Sequence, residues 1–169
     1  MFPIDEQALR ASFVNASRKE VASLTLPELD EIDFGQLDYL GWRDRKLARR
    51  AYLVLPVPDE TAPDGQGLVG VLLRQADAAP RTRAQCSWCQ DVRLPNDVVF
   101  FSAKRAGAAG RKGDTLGTLL CSEFECSANV RTPPPPAYIG YDIEAAKRER
   151  MQRLAEHAAN FARAVTAGE

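Results

Sequence analysis

Four cysteines in two close pairs constrain this sequence more than any other feature. Cys86 and Cys89 lie in QCSWCQ, and Cys121 and Cys126 lie in LLCSEFECSANVR. The chain has no other cysteine, and only residues 90–120 separate the two pairs. Such clustering favours one site built from all four thiols over four unrelated buried side chains.

The order of elements around the thiols predicts a structural zinc site. A C-x2-C pair on a turn, a β-hairpin and a C-x4-C pair that enters a helix form the layout of a treble-clef zinc finger. Zn²⁺ favours four tetrahedral ligands, and four thiolates leave no open position for catalysis. Ser122 and Glu125 have the form of a capping box, which predicts a helix from Glu123 with Cys126 in its first turn. We therefore expect one structural Zn²⁺ with four ligands, Cys86, Cys89, Cys121 and Cys126.

Three other uses of the thiols stay open on the sequence alone. Cys86 and Cys89 have the spacing of a redox pair, although such a pair normally lies in a βαβ unit and here a hairpin follows. Four thiolates also hold iron–sulfur clusters, whose common spacings differ from this one. The remaining alternative is four buried cysteines without a ligand.

The overall composition is that of an ordinary globular protein. Lys and Arg number 22 against 23 acidic residues, and 45% of the residues are hydrophobic. No apolar run approaches the roughly 18 residues of a membrane span, and the first ten residues lack a secretory apolar region. These features predict a cytoplasmic protein, where paired cysteines are more often metal ligands or redox centres than disulfides.

The segment pattern predicts an α+β fold in one domain over residues 1–169. We expect a helical part over 1–50, a sheet with the zinc site over 51–132, and a proline spacer with a long C-terminal helix over 133–169. Ser17 and Glu20 predict a capping box at a short N-terminal helix, and Asp142 is the predicted cap of the C-terminal helix.

Four apolar, β-branched runs predict two antiparallel hairpins. The runs are AYLVLPV (51–57), LVGVLLRQ (68–75), VVFFSAK (98–104) and TLGTLL (115–120). The loop PDETAPDGQG joins the first two runs, and RAGAAGRKGD joins the last two. The second loop is rich enough in glycine to predict neither helix nor strand, and hence a flexible tip.

Positive charge concentrates on this second hairpin loop. Lys104, Arg105, Arg111 and Lys112 lie in a stretch from Val98 to Gly113 that has no acidic residue. One interpretation is contact with RNA phosphates or with an acidic protein surface. The other is charge balance for a Zn(Cys)4 centre, which carries about two negative charges.

The sequence offers no set of catalytic residues. His157 is the only histidine, and its place on the predicted C-terminal helix favours packing or solvent exposure. The chain lacks the P-loop, GxSxG and HExxH motifs. We therefore expect a non-enzymatic protein without a small-molecule substrate.

A series of motifs along the chain resembles the FBP-type C-terminal treble-clef zinc-finger domain, named for elongation-factor-G-binding proteins and related to FusB-type fusidic acid resistance proteins. The motifs are FVNAS, LGWRD, AYLVLP, LVGVLLR, CSWC, FFSAKRAGAAGRKGDTLGTLLC and CSANVR, and the resemblance extends over roughly residues 10 to 165. It implies the same four zinc ligands as the spacing does.

The resemblance also implies a partner, because FusB-type proteins bind elongation factor G and release it from stalled ribosomes. In such proteins the basic hairpin lies beside the zinc and takes part in contact. The expected partner-binding residues here are Lys104, Arg105, Arg111 and Lys112, with Tyr138 as a further contact. FusB-type proteins also have an N-terminal helical bundle, for which some 50 residues before the first predicted strand are too few. We therefore expect a housekeeping role at the ribosome as much as we expect fusidic acid resistance.

A nucleic-acid-binding zinc module that uses the same basic loop on ribosomal RNA or DNA is the second function hypothesis. The net charge of −1 and a pI near 5.9 count against it, because dedicated nucleic-acid domains are usually basic.

Overall fold

A five-stranded antiparallel sheet, with the strands in chain order, forms the centre of the described structure. The structure is a computed structural model that describes residues 1–63, 65–77 and 84–167. The strands are β1 (Leu40–Arg43), β2 (Arg50–Pro58), β3 (Gln66–Gln75), β4 (Val98–Lys104) and β5 (Thr115–Cys121). The predicted α+β class and both predicted hairpins are confirmed. Asp64, in the loop of the first hairpin, lies outside the described residues.

Helices flank the sheet at both ends of the chain. They are α1 (Glu6–Ala11), α2 (Arg18–Ala22), α3 (Gly107–Arg111), α4 (Cys126–Arg131) and α5 (Ile143–Thr166), with short 3₁₀ turns at Leu29–Glu31 and Phe34–Gln36. The capping box of Ser17 and Glu20 is present at α2, and the Asp142 carboxylate accepts from the Ala145 N–H at the start of α5. None of the helices in these ranges is long and apolar enough to span a membrane.

The sheet separates two apolar layers. Side chains of α5, such as Leu154 and Phe161, pack against one face together with Leu53. The N-terminal segments cover part of the other face, where Leu9 packs with Tyr52. The alternation of side chains along each strand therefore buries both faces of β2, as its almost continuous apolar sequence requires.

Residues 12–15 fill a gap between β3 and β4. These two strands pair only where Leu73–Gln75 of β3 face Phe101–Ala103 of β4. On the Leu72 side of this short ladder the strands separate. The Asn15 side chain bonds to the N–H and the carbonyl of Leu72, at 2.8 and 3.1 Å, and to the Lys104 carbonyl at 2.9 Å. Phe13 forms a parallel bridge with Gly70. One side chain thus replaces missing ladder bonds, because buried backbone groups need partners.

The N-terminal part differs from the helical segment predicted for residues 1–50. α1 ends at Ala11, so Phe13 is not helical, and β1 occupies Leu40–Arg43. β1 forms because Leu40 and Trp42 pair with Val54 and Tyr52 of β2. This long-range pairing overrides the helical structure predicted for residues 1–50.

Candidate metal centre and basic tip

Three separate elements bring the four thiols together. Cys86 and Cys89 lie on a turn beside β5, where the Ser87 N–H donates to the Leu119 carbonyl at 2.9 Å. Cys121 ends β5, and Cys126 begins α4. The second hairpin stands between the two pairs, so the predicted treble-clef arrangement is confirmed.

The sulfur positions match a single metal ion. The Sγ atoms of Cys86 and Cys126 are 3.6 Å apart, and those of Cys89 and Cys121 are 3.7 Å apart. All four Sγ atoms lie within 4.8 Å of one another, and all four residues are buried and free of disulfides. A tetrahedron with Zn–S bonds near 2.3 Å has sulfur separations of roughly 3.8 Å. The donor set therefore fits one structural Zn²⁺.

Hydrogen-bond donors surround the sulfurs, as an anionic site requires. The Trp88 N–H donates to Cys86 Sγ at 3.4 Å. The buried Asn129 amide donates to Cys89 Sγ at 3.6 Å and to Cys121 Sγ at 3.5 Å. Donors of this kind orient metal ligands and stabilise their charge.

Tyr39 supplies a further polar group beside the thiols. Its hydroxyl is buried and has no hydrogen-bond partner among the described residues. Burial first, and then the charge of Cys126, raise the pKa of Tyr39 well above its usual range. The hydroxyl therefore keeps its proton and is an available donor toward a thiolate.

The thiols cannot all ionise without a cation. Hydrogen bonds from Cys121 and Cys126 lower the pKa of Cys86, and a hydrogen bond from Cys121 lowers the pKa of Cys89 to about 7. The same cluster raises the pKa of Cys126, because its thiol donates to its neighbours and faces their charge. Since zinc ligands must be thiolates, the charge of a divalent ion supplies the missing compensation.

α4 begins later than the sequence predicted. The expected capping box of Ser122 and Glu125 does not form, because the Glu125 carboxylate accepts from the Glu123 N–H. Phe124 has a φ of 63°, which ends any helix there, and its ring stacks on Phe101 at 5.5 Å between centroids. The prediction of a helix from Glu123 is therefore wrong, whereas Cys126 does lie in the first turn.

Arg150 of α5 links α4 to Asp91, which follows the turn that carries Cys86 and Cys89. Its guanidinium donates to the Asp91 carboxylate at 2.6 Å, to the Asn129 carbonyl at 2.9 Å and to the Thr132 carbonyl at 2.7 Å. The Asp91 side chain is 2% exposed and that of Arg150 is 15% exposed. No sequence pattern indicates a role for Arg150, because the cation and its three acceptors are far apart along the chain.

The basic loop is more ordered than its glycine content predicted. α3 occupies Gly107–Arg111, so the expectation of no helix there is wrong. The Ala106 N–H donates to the Val165 carbonyl at 2.9 Å, and Arg105 donates to the Ala164 carbonyl at 2.8 Å. The loop is therefore tied to the C-terminal turn of α5, where a cation is favoured by the helix dipole. We call residues 105–114 the basic tip.

The cations predicted to bind a partner do not form one equivalent set. Arg111 and Lys112 are exposed on the basic tip, whereas Arg105 is half-buried against α5. Lys104 is exposed on β4, before the tip begins.

The basic tip lies far from the metal centre. The hairpin register runs from Val98 opposite Cys121 to Lys104 opposite Thr115, a distance of about 20 Å at 3.3 to 3.4 Å per residue. Exposed charges at that distance are screened, because the Debye length is about 8 to 10 Å. The charge-balance interpretation of the tip is therefore wrong. Nearer cations are Arg150 and Arg153, which line a cavity with Cys89.

Tyr138 and the basic tip lie at opposite ends of α5. Tyr138 is 66% exposed, packs edge-on against Tyr141, and precedes the helix. The tip contacts the last turn of α5, whose 24 residues span roughly 36 Å. The structure therefore does not bring Tyr138 together with the other predicted partner-binding residues.

The aromatic and histidine side chains near the site belong to its packing. Trp88 is buried between Tyr39 and Phe161, and its indole N–H donates to the Thr118 hydroxyl at 3.1 Å. The Nδ1 atom of His157 lies 2.9 Å from the carbonyl oxygen of Trp88, in agreement with the predicted packing role.

Replacing Asn129 with alanine should weaken zinc binding. The variant loses two N–H···S hydrogen bonds at once, and removal of such outer partners typically lowers metal affinity 10- to 100-fold. Competition with a chromophoric chelator measures the change, with Asn160→Ala on the exposed side of α5 as the matched control. Equal zinc affinity of Asn129→Ala and Asn160→Ala would contradict this role.

Comparison with known proteins agrees with the geometry. The family model for the FBP C-terminal treble-clef zinc-finger matches residues 8–165. No curated protein is significantly similar to the chain. The family match covers almost the whole sequence, and the buried four-thiol cluster supplies its metal site, so this chain belongs to the FBP C-terminal treble-clef zinc-finger family.

Proposed function

We propose that this protein is a non-enzymatic, cytoplasmic translation protein that binds elongation factor G, alone or on the ribosome. In this proposal Cys86, Cys89, Cys121 and Cys126 are the zinc ligands, and the ion has a structural role. The family is one of binding modules, which supports a macromolecular partner. The resemblance to FusB-type proteins is the reason for choosing elongation factor G.

The attachment of the basic tip to α5 is the observation that carries this proposal. The Ala106 N–H and the Arg105 side chain donate to carbonyls of α5 and fasten the tip to that helix. α3 then orders the residues that follow, Gly107–Arg111. Arg111 and Lys112 are therefore exposed cations on a positioned support. A rigid charged surface loses little conformational entropy on binding and complements an acidic protein surface.

The remaining predicted contacts have different roles in this proposal. Arg105 acts as an anchor for the tip, since α5 already occupies its guanidinium. Lys104 stands at the base of the tip, and Tyr138 is a second contact at the far end of α5. A partner that touches both Tyr138 and the tip must extend along the whole helix.

The double substitution Arg111→Ala with Lys112→Ala tests the tip directly. We expect the affinity for purified elongation factor G to fall by about tenfold or more, as for two charged contacts at an interface. Isothermal titration calorimetry measures the affinity, and zinc content should be unchanged. The matched control is Arg45→Ala with Lys46→Ala, which removes the same two charges from the exposed turn between β1 and β2.

Three results would contradict the proposal. They are no binding of elongation factor G by the unaltered protein, an equal loss in the control, and an unchanged affinity in the tip variant. Recovery of nucleic acid without elongation factor G from cell lysate would instead favour the second hypothesis, a nucleic-acid-binding module.

A further inference from the structure

One face of the second hairpin is open and carries an exposed aromatic ring. Along β4, Phe101 and Ala103 point into the core, so Phe100, Ser102 and Lys104 lie on the opposite face. Phe100 is 41% exposed, although it lies in the middle of the sheet. The N-terminal segments cover this face of the sheet over β2 and β3. They do not cover it over β4, where Phe100 and Lys104 are exposed.

The tip of the Phe100 ring reaches over Gly117 of β5. A Cβ atom at Gly117 of β5 would come within 2.2 Å of Phe100 Cζ, so the ring occupies the space above this glycine. Gly117 is opposite Ser102 and therefore diagonal to Phe100. The edge of the ring therefore covers the glycine, and the exposed part of the ring is open to solvent.

Cations flank the ring on the same face. Arg74 of β3 is directly opposite Ser102, and Lys104 is two residues further along β4, on the Phe100 side of the strand. Both side chains are exposed, and among the described residues no carboxylate oxygen lies within 4.0 Å of either charged group. Arg50, opposite Arg74, pairs with Glu20 at 3.8 Å, and the Glu20 carboxylate also interacts with the charge of Arg74 at longer range.

The sheet itself carries no negative charge. None of the five described strands contains an acidic residue, although the chain has 23 acids. The nearest acids along this hairpin, Asp97 and Asp114, stand just outside the strand ends. The face therefore combines an exposed aromatic ring with two cations that form no ion pair among the described residues.

We propose that this face, formed by Phe100, Gly117, Arg74 and Lys104, binds a single-stranded nucleic acid. A base stacks on the Phe100 ring, and the neighbouring phosphates contact Arg74 and Lys104. Stacking on exposed sheet aromatics with flanking cations is how several single-strand-binding folds work. The charge complementarity selects a phosphodiester over an apolar protein segment. This inference does not depend on factor binding by the basic tip, from which the ring is separated along β4.

Fluorescence anisotropy with labelled decamers of single-stranded RNA and of single-stranded DNA tests the proposal. We expect weak binding by the intact zinc protein at 50 mM salt, on the order of 10⁻⁶ to 10⁻⁴ M. Phe100→Leu keeps an apolar cover over Gly117 but removes the ring, and the affinity should fall at least about fivefold. Phe100→Tyr should retain binding, because it keeps the ring.

The salt dependence identifies the phosphate contacts. Arg74→Ala and Lys104→Ala should each weaken binding and reduce the slope of log K against log salt by about 0.7. Arg148→Ala, which removes one exposed charge from α5 on the other side of the sheet, should leave the slope unchanged. Unfolding midpoints and zinc content of all variants should match the unaltered protein.

Binding of either decamer with these losses supports the proposal, and the better decamer shows whether RNA or DNA is preferred. Binding of neither decamer, or binding that survives Phe100→Leu, overturns it. Loss of decamer binding in Arg111→Ala with Lys112→Ala but not in Phe100→Leu also overturns it, since the nucleic acid then binds the tip. A loss of elongation factor G affinity in Phe100→Leu without any decamer binding would assign the face to a protein.

Discussion

Replacing Cys126 with serine should unfold this protein at ordinary temperature. The substitution removes one of four sulfurs that together join the turn at Cys86, the end of β5 and the start of α4. Zinc binding in finger peptides is worth about 10 to 16 kcal/mol, whereas an entire domain is typically stable by about 5 to 15 kcal/mol. Circular dichroism during urea unfolding should show loss of the cooperative transition.

Metal removal provides the matching experiment on the unaltered chain. Chelation at neutral pH should abolish the same transition, and added zinc should restore it only where all four cysteines are present. Ser87→Ala, inside the same turn, serves as the control and should unfold like the unaltered protein. A Cys126→Ser variant with an unchanged urea midpoint would show that the thiols do not hold the fold.

Replacing Arg150 with methionine should cost about 3 kcal/mol in the free energy of unfolding. Breaking the buried ion pair from one side leaves the Asp91 carboxylate without its 2.6 Å partner, while the more exposed Arg93 stays 3.4 Å away. The carbonyls of Asn129 and Thr132 lose a donor at the same time. Arg148→Met, on the exposed side of the same helix, should change stability by less than about 0.5 kcal/mol.

We also expect the stabilisation by the ion pair of Asp91 and Arg150 to depend on pH. Burial alone would raise the pKa of Asp91, but the N–H groups of Arg93 and Leu94, and then the charges of Arg93 and Arg150, hold it below its usual range. A carboxyl with a depressed folded pKa contributes stability above its unfolded pKa, near 4, and loses it as the pH falls through the folded value. The difference between Arg150→Met and the unaltered protein should therefore shrink below about pH 4.

A double-mutant cycle separates the pair from packing effects. Asp91→Asn combined with Arg150→Met removes both charges, so its loss should be smaller than the sum of the two single losses. Additive losses would mean that Arg150 acts through packing of its aliphatic chain and not through Asp91.

The parts of the fold that depend on local chemistry were predictable. Ser17 and Glu20 form the capping box that their spacing indicates, and Asp142 caps α5. The hairpins follow from β-branched runs separated by turn residues, and their strands agree within a few residues. The metal centre was predictable because the ligand type, the spacing and the order of elements around the thiols favour zinc over the other uses of four cysteines.

The order of the basic tip and the contacts around the metal centre depend mainly on packing between segments that are distant in sequence. α3 forms in a glycine-rich loop that Ala106 and Arg105 fasten to the end of α5. Gly110 is needed there, because a Cβ would lie 1.8 Å from the Arg105 carbonyl oxygen. Asn129 had a local signal, since it lies three residues after Cys126 and hence on the same side of α4. Arg150 had none, because Asp91 is distant in sequence and meets it only after α5 docks.

Zinc content of the purified protein, measured together with thiol reactivity, tests the central claim most directly. We predict one zinc per chain and four cysteines that react with a thiol reagent only after chelation or unfolding. A metal-free protein that is folded and has four freely reactive thiols would contradict it.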